Sequence, residues 1–275
     1  MFPVVKETAK VKEIMSEHFE AAAIAVAQEA GKLVLPHFGK VDLVRRKSSS
    51  PFDVVTQLDL DVENLIAKRL TSEFPEIGFV GEEAQNHNDK DRYWLVDPID
   101  GTAHFVRGMP YCTTMIALID KGKVSLSVIY NFVNGELYSA SKGGGAKLNG
   151  ETISVSQRPL KEAYISIEAK LDDEDSLRQF LEIRKRAHIF HTISCGYEFG
   201  LVASGKLEGR ICINPYGGDY DYAAGTLLVA EAGGMVANIG KTTYDYRNHN
   251  FLAVNKVIYE ELTTGDKSLF PLIER

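Results

Sequence analysis

Hydrophobic positions in the first third of the chain recur with the spacing of amphipathic helices. The Ala-rich segment from about Lys12 to Leu35 places apolar residues three and four positions apart, and a proline follows it directly. The segment from about Leu58 to Phe74 repeats this spacing and also ends before a proline. The sequence therefore predicts two helices, with a polar loop at residues 47–51 between them.

The middle of the chain contains apolar runs that are typical of β-strands. The first run is short, at Ile77–Val80, and the second is an apolar run of the buried-strand type that ends at Asp97. Three more runs follow, separated by turn residues. The predicted strands are Thr113–Ile119, Lys123–Tyr130 and Glu136–Ala140.

The second half of the chain alternates predicted strands with predicted helices. The strands are Tyr164–Ile167, His188–Thr192 and Gly209–Ile213, the helices are Asp173–Arg184, Tyr197–Ser204 and Asp221–Ala232, and two short strands follow. Such layers of strands and helices predict a mixed α/β sandwich. A weak composition shift divides one compact unit into an N-terminal α+β sub-domain, residues 1–158, and a C-terminal α/β sub-domain, residues 159–275.

Composition places the chain among ordinary globular proteins. Its 275 residues suffice for a substantial core, and its content is 44% hydrophobic and 25% charged. The net charge of −7 argues against a nucleic-acid partner, which would need a basic surface. The widely spaced Cys112, Cys195 and Cys212 indicate reduced thiols rather than disulfides or a zinc site. Without an apolar run of membrane length or a signal-peptide pattern, we expect a cytoplasmic protein with no membrane partner.

Candidate chemistry begins where the strand before Asp97 ends. The sequence there reads Asp97-Pro98-Ile99-Asp100-Gly101-Thr102, which puts two carboxylates three residues apart. Buried carboxylates need a partner, and Mg²⁺ prefers oxygen ligands while leaving room for water and phosphate. A helix that opens at the Gly-Thr pair would direct free backbone N–H groups at an anion. This segment therefore predicts a metal ion beside a phosphate.

Other acidic positions have both a structural and a functional interpretation. Asp59 lies in the first turn of a predicted helix, where a carboxylate also complements the helix dipole. Glu82 and Glu83 follow a strand and a glycine, and such a pair is often a solvated loop. Asp221 precedes a helix rich in small residues, where it could serve as an N-cap. Taken singly, each segment is ambiguous.

Taken together, these motifs resemble the inositol monophosphatase family of Mg²⁺-dependent, lithium-sensitive phosphatases. The resemblance runs from about Phe19 to Val254. Its signatures are Asp97-Pro98-Ile99-Asp100-Gly101-Thr102 and Asp221-Tyr222-Ala223-Ala224-Gly225 with Glu231-Ala232-Gly233-Gly234, and the segments around Asp59 and Glu82 occur in the expected order. The resemblance implies a layered αβαβα sandwich of the inositol monophosphatase and sugar phosphatase type, in a homodimer.

The resemblance also implies which residues hold metal ions. Glu82, Asp97 and the backbone carbonyl of Ile99 would hold a first Mg²⁺. Asp97, Asp100 and Asp221 would hold a second, so that Asp97 bridges the two ions. A third, weaker ion would lie near Glu82, so the expected cofactor is two or three Mg²⁺ ions.

Further residues acquire roles in binding and catalysis from the same resemblance. Thr102, supported by Asp59, would position the attacking water together with Glu82. The amides of Gly101 and Thr102 would cradle the phosphate, and Lys47 matches a basic residue that neighbours the metal site in the family.

Three positions bear on the substrate. His104 stands where the family motif commonly has Asn, and we interpret it as a residue satisfied beside the site rather than a catalytic one. Asn214 stands where inositol phosphatases commonly have a Glu that accepts hydrogen bonds from ring hydroxyls. Asp219, in the loop that follows, is the alternative contact to the leaving group.

The expected reaction is hydrolysis of a small phosphorylated polyol or sugar by metal-activated water, with inositol 1-phosphate first. Alternative substrates are fructose 1,6-bisphosphate, histidinol phosphate and NADP. An alternative of another class is a non-catalytic metal- or phosphate-binding regulatory protein, with partners such as polymerase or ribosome components. The complete ligand set favours an enzyme, because a cluster of carboxylates without metal would repel itself.

Overall fold

The computed structural model describes residues 9–40, 45–46, 54–83 and 89–273. These residues form two main sheets and a set of helices packed on both. The helices are α1 (Ala9–Val34), α2 (Gln57–Glu73), α3 (Thr102–Val106), α4 (Glu174–Arg184), α5 (Cys195–Ala203), α6 (Asp219–Glu231) and α7 (Lys256–Thr263). Among the described residues, none of the helices combines the length and the apolar character that crossing a bilayer requires.

The first half of the chain supplies the larger sheet. Its strands are β3 (Gly78–Gly81), β4 (Arg92–Asp100), β5 (Thr113–Asp120), β6 (Lys123–Asn131), β7 (Glu136–Ser141), β8 (Gly145–Leu148) and β9 (Glu151–Thr152), and they neighbour one another in chain order. Strands β3 and β4 pair in parallel, and each later pair is antiparallel. A separate ladder joins β1 (Arg45–Arg46) to β2 (Val54–Val55).

The second half supplies a sheet of five strands. They are β10 (Tyr164–Ala169), β11 (His188–Phe190), β12 (Gly209–Ile213), β13 (Met235–Asn238) and β14 (Phe251–Val254), in the spatial order β11-β10-β12-β14-β13. Strand β10 is parallel to both β11 and β12, so the carboxyl ends of these three strands meet at one edge. The segments that lead into α5 and α6 start at this edge, which is where open α/β sheets bind their ligands.

Three apolar cores stack the helices and sheets in five layers. Helices α1 and α2 cover the outer face of the larger sheet, and α5 and α6 fill the space between the two sheets. Helices α4 and α7 cover the outer face of the smaller sheet. The predicted αβαβα sandwich is therefore confirmed, and α6 belongs to the layer that contacts both sheets.

Strand β4 shows why an apolar run leads into the site. Trp94 and Val96 enter the core beneath α1 and α2, while Leu95 enters the core beneath α5 and α6. Because both faces are covered, the strand is apolar at successive positions rather than at alternate ones. Asp97 and Asp100 lie at the carboxyl end of this strand, which is buried from Trp94 onward.

The structure corrects several predicted boundaries. Helix α5 begins at Cys195 rather than Tyr197, because the Ser194 side chain caps it by accepting from the Tyr197 amide. Helix α6 begins at Asp219, so Asp221 is its third residue and not its N-cap. The short strands β8 and β9 were not predicted, since each is too brief to show a clear hydrophobic period, and helix α7 was also not predicted although its buried residues Ile258, Tyr259 and Leu262 follow a helical spacing. The division into residues 1–158 and 159–275 stays a prediction.

Close packing of α5 on α6 depends on Gly225. A Cβ atom at this position would overlap the ring of Phe199 on α5. We predict that Gly225→Ala lowers the free energy of unfolding by about 1–3 kcal/mol, as overpacking commonly does. Urea denaturation measures this loss, and Phe199→Leu in the same chain should recover part of it. A purely additive double variant would contradict the proposed overlap.

Candidate active site

An irregularity in β4 separates the two carboxylates of the strand. The pairing of β4 with β5 shifts register between Asp97 and Asp100, and a proline without an N–H group stands between them. Residues three apart in a regular strand face opposite sides, and bulges commonly redirect a side chain. Both side chains are buried, and the Thr114 hydroxyl secures the bulge by donating to the Pro98 carbonyl at 2.9 Å.

The Asp100 carboxylate fastens β4 to the N-terminus of α5. Its Oδ2 accepts from the hydroxyls of Thr113 at 2.7 Å and Ser194 at 2.5 Å, and from the Gly196 amide at 2.9 Å. Its Oδ1 accepts from the Cys195 amide at 2.8 Å. Burial raises the pKa of Asp100, while these hydrogen bonds act in the opposite direction. One carboxylate thus joins segments that are more than ninety residues apart in the chain.

Helix α6 brings Asp221 to the same place. Asp100, Asp221 and Cys195 each offer a ligand atom, and the three atoms lie within 4.8 Å of one another. Asp221 also accepts from the Gly218 amide at 2.6 Å, which fixes it in the first turn of α6. Burial raises the pKa of Asp221 well above its ordinary value, and the nearby carboxylate of Glu82 raises it further.

Glu82, directly after β3, lies close enough to raise the pKa of Asp221, but its carboxylate is not among the three ligand atoms within 4.8 Å of one another. Its amide donates to the Val96 carbonyl at 3.0 Å, so it stands beside the strand that carries Asp97. The following amide, of Glu83, donates to the buried Glu63 carboxylate of α2 at 2.7 Å. The two glutamates are therefore held by neighbouring elements and are not a solvated loop.

Thr102 and Asp59 form a buried pair beside these carboxylates. The Thr102 Oγ1 lies 2.8 Å from Asp59 Oδ1 and 2.8 Å from the Ile99 carbonyl oxygen. The other oxygen of Asp59 accepts from both the amide and the hydroxyl of Thr56, at 2.7 and 2.6 Å. Burial raises the pKa of Asp59, and the hydrogen bonds from Thr56 and Thr102 counteract that effect. The Thr102 hydroxyl proton therefore points toward the Asp59 carboxylate or the Ile99 carbonyl. A lone pair of the hydroxyl oxygen is left to accept a hydrogen bond from a donor such as water.

Gly101 allows α3 to begin directly after Asp100. Its φ angle of +79° lies in the left-handed region, and a Cβ there would lie 2.6 Å from the Tyr111 carbonyl oxygen. Its own carbonyl accepts from the amides of His104 and Phe105. The first N–H groups of α3, beginning at Thr102, have no acceptor within the helix by its geometry.

His104 connects α3 to the segment before α5. Its Nε2 accepts from the Ile193 amide at 3.2 Å, so the neutral ring carries its proton on Nδ1. The ring also packs edge-on against Tyr111. Burial lowers the pKa of His104, with smaller contributions from the charges of Arg107 and His191.

The predicted substrate contacts lie on the loop between β12 and α6, which carries Asn214, and at the first residue of α6, Asp219. Asn214 is exposed with a φ angle of +47°, and its amide donates to Asn250 Oδ1 at 2.5 Å. Asp219 Oδ1 lies 2.7 Å from His249 Nε2, so its charge already faces an imidazole. Lys47, the predicted basic neighbour, lies outside the described residues.

Sequence reasoning missed several residues that support the site. Asp100 is held by Ser194 and the two amides that follow it, and a buried Arg210 lies against two glutamates, Glu168 and Glu198. Glu168, Glu198 and Arg210 each stand among apolar residues, and a charge in such a position indicates a buried partner. The sequence does not say which partner, because the three come from different elements.

The donor set suits a hard divalent cation. Asp100 and Asp221 offer carboxylate oxygens, which Mg²⁺ prefers, and Glu82 lies close enough to raise the pKa of Asp221. The third member of the group, Cys195, is a softer ligand, and burial raises its pKa well above the ordinary value, which disfavours the thiolate that a metal would need. A bound cation would offset the mutual repulsion of these carboxylates. The chemistry and placement of the residues therefore fit the expected metal.

Comparison with known families supports this interpretation. The sequence profile of the inositol monophosphatase family matches residues 15–267. A fructose-1,6-bisphosphatase/inositol-1-monophosphatase of Thermotoga maritima is 32% identical over 243 residues, which cover 87% of this chain and 92% of the relative. Proteins of this family depend on metal ions.

Other relatives carry different functional names. A histidinol-phosphatase of Chlorobaculum parvum is 33% identical, covering 82% of this chain and 85% of its own length. The Nus factor SuhB of Salmonella typhimurium is 29% identical over an alignment that covers 86% of this chain and 88% of the relative. Among solved structures, an inositol monophosphatase (IMPase) of Thermotoga maritima superimposes with a TM-score of 0.79 at 30% identity, covering 87% of this chain and 92% of the other.

The burial of His104, which lowers its pKa, predicts a pH dependence of stability. The pKa of this residue is lower in the folded protein, so the unfolded chain takes up the proton first as the pH falls below about 6.5. Protonation therefore favours unfolding over the window between that value and the lowered pKa. We expect His104→Gln, which can accept from the same amide without titrating, to lose less stability between pH 7.5 and 5.5 in urea denaturation. An equal loss in both proteins would contradict this role.

Proposed function

The chain belongs to the inositol monophosphatase family and is a phosphoric monoester hydrolase, and we propose that it uses Mg²⁺ to hydrolyse a small phosphorylated polyol or sugar. The observation that carries this proposal is the convergence of carboxylates from three separate segments. The buried Asp100 lies beside the half-buried Asp221, Glu82 lies near Asp221, and the Thr102–Asp59 pair adjoins them at the start of α3.

The metal ligands that we propose are all oxygen donors. Glu82, Asp97, Asp100 and Asp221 would hold two or three ions with their carboxylates, and Ile99 would contribute its backbone carbonyl. When bound, the ions neutralise the phosphate dianion, acidify a water molecule and stabilise the departing oxygen. The number of ions remains part of the proposal.

Thr102 and Asp59 would orient the attacking water. Since the Thr102 hydroxyl is held by Asp59 and the Ile99 carbonyl, its lone pair can accept a hydrogen bond from water. Glu82 would accept the other proton of that water. The water oxygen then bonds to phosphorus, the ester oxygen leaves with the electrons of its bond, and that oxygen takes up a proton to give the alcohol.

The phosphate would bind at the start of α3. Gly101 is the N-cap and Thr102 the first residue of α3, so their amides have no acceptor within the helix and would be available to an anion. Because Asp100 directly precedes these amides, a phosphate bound there would lie beside the proposed cations.

The leaving group would face Asn214 and Asp219. Asn214 can donate as well as accept hydrogen bonds and carries no charge, unlike a glutamate. We propose inositol 1-phosphate as the first substrate to test, followed by fructose 1,6-bisphosphate, histidinol phosphate and NADP. The names of the relatives, which include both fructose-1,6-bisphosphatase and histidinol-phosphatase, support testing this range.

A phosphate-release assay tests the reaction and the substrate together. We expect each active substrate to release phosphate with Mg²⁺ but not with EDTA, and Li⁺ to inhibit the release. Asp221→Asn should lower turnover by about 100-fold or more, since a metal ligand supports several kcal/mol of transition-state stabilisation. The exposed helix-α4 variant Asp175→Asn is the surface control. If no monoester is hydrolysed, the proposal fails and a regulatory binding protein becomes the better interpretation, consistent with a relative named as a Nus factor.

A second variant isolates the role of the Thr102 hydroxyl. Thr102→Val keeps the shape of the side chain but removes the oxygen that would orient water. We expect turnover at saturating Mg²⁺ to fall by about 100-fold, the lower range for losing a positioned proton-transfer contact. Thr102→Ser should retain most of the activity, and calorimetry should show similar Mg²⁺ binding in both. Near-normal turnover by the valine variant would exclude this role.

A further inference from the structure

Arg210 is a buried cation that the proposed reaction does not use. It lies in β12 between Gly209 and Ile211, and its side chain is 2% exposed. Its guanidinium lies over the rings of Phe199 and Tyr222, at 5.3 and 6.0 Å from their centroids. A charge in such a position is costly unless its partners are well placed.

The two arms of the guanidinium contact two different elements. Nη1 donates to the Glu198 carboxylate of α5 and to Ser166 Oγ at 3.1 Å. Nη2 donates to Glu168 Oε2 at 2.5 Å, at the end of β10, and lies 3.1 Å from the Cys195 sulfur. The planar guanidinium of an arginine can donate to two acceptors at fixed angles, whereas a lysine ammonium offers a single centre of charge.

The first arm secures the residues that hold Asp100. Glu198 is fully buried and also accepts from the amide and hydroxyl of Thr192. It thereby fixes both the segment before α5 and the first turns of that helix. The same segment presents Ser194 and the amides of Cys195 and Gly196 to Asp100.

The second arm secures the turn that holds Asp221. Glu168 Oε1 accepts from the amides of Tyr216 and Gly217, at 2.9 and 3.3 Å, and from the Tyr222 hydroxyl at 3.0 Å. The next amide, of Gly218, donates to Asp221. Glu168 is thus two hydrogen-bonded steps from Asp221.

We infer that Arg210 is a positioning residue that sets the relation between Asp100 and Asp221 and so determines how tightly the site binds a divalent cation. This inference rests on the proposed function. A merely stabilising role explains the arrangement less well, because buried ion pairs often stabilise a fold no more than apolar residues of similar size. Groups that orient metal ligands commonly change metal affinity by 10- to 100-fold when they are removed.

A matched control lies at the other end of the same strand. Arg158 pairs with the buried Glu208, directly before β12 and away from the carboxyl edge that carries the site. Replacing Arg158 therefore also disrupts a pair with a buried glutamate in this sheet, without touching the segments that hold Asp100 and Asp221.

The experiment measures Mg²⁺ binding to the EDTA-treated full chain by calorimetry in the absence of substrate. We expect Arg210→Met to weaken Mg²⁺ binding by about 10-fold or more, and Arg158→Met to change it by less than about 2-fold. Arg210→Lys should behave like the methionine variant, because one ammonium cannot hold both carboxylates. Addition of Mg²⁺ should raise the unfolding temperature less in both Arg210 variants than in the parent chain.

If Arg210→Met does not fold, the double variant Glu198→Gln with Arg210→Met leaves one buried carboxylate fewer and is measured instead. Unchanged Mg²⁺ binding in the folded variant, or an equal loss in Arg158→Met, would overturn the inference. A parent chain that binds Mg²⁺ and hydrolyses a monoester keeps the proposed function intact in that case. If the parent chain neither binds Mg²⁺ nor releases phosphate, the proposed function fails, and this inference fails with it.

Discussion

The constraint on which this structure depends is the close approach of carboxylates that are buried or half-buried. Asp100 and Asp221 offer ligand atoms within 4.8 Å of each other, and Glu82 lies near enough to raise the pKa of Asp221. Like charges at such distances repel strongly in a low-dielectric region. The surrounding hydrogen bonds hold these carboxylates close together. A bound cation would therefore offset their mutual repulsion and stabilise the folded chain.

The same carboxylates also link the two sheets. Asp100 belongs to the larger sheet, yet most of its hydrogen-bond donors come from the start of α5. Asp221 belongs to α6, and its carboxylate accepts a hydrogen bond from the amide of Gly218, the N-cap of that helix. The layer of α5 and α6 between the sheets therefore has two roles. It supplies an apolar core, and the N-termini of its helices hold Asp100 and Asp221.

The sequence predicted the layers, strand β4 and the carboxylates, because each of these has a local signature. An apolar run that stops at an acidic residue can be recognised without knowledge of distant contacts. The supporting groups were missed because their meaning depends on partners far away in the chain. Arg210 meets Glu168 and Glu198 only through the pairing of β12 with β10 and the packing of α5. In the same way, the positive φ of Asn214 and the early start of α5 follow from side-chain caps and tertiary contacts rather than from periodicity.

Asp59 has a consequence for how this chain can vary. One of its oxygens closes the capping box at the start of α2, and the other holds Thr102. A single side chain therefore both caps α2 and orients the Thr102 hydroxyl next to the proposed metal ligands. Any substitution at this position therefore weakens at least one of the two roles, because even asparagine, the nearest isostere, keeps only one of the two acceptor oxygens.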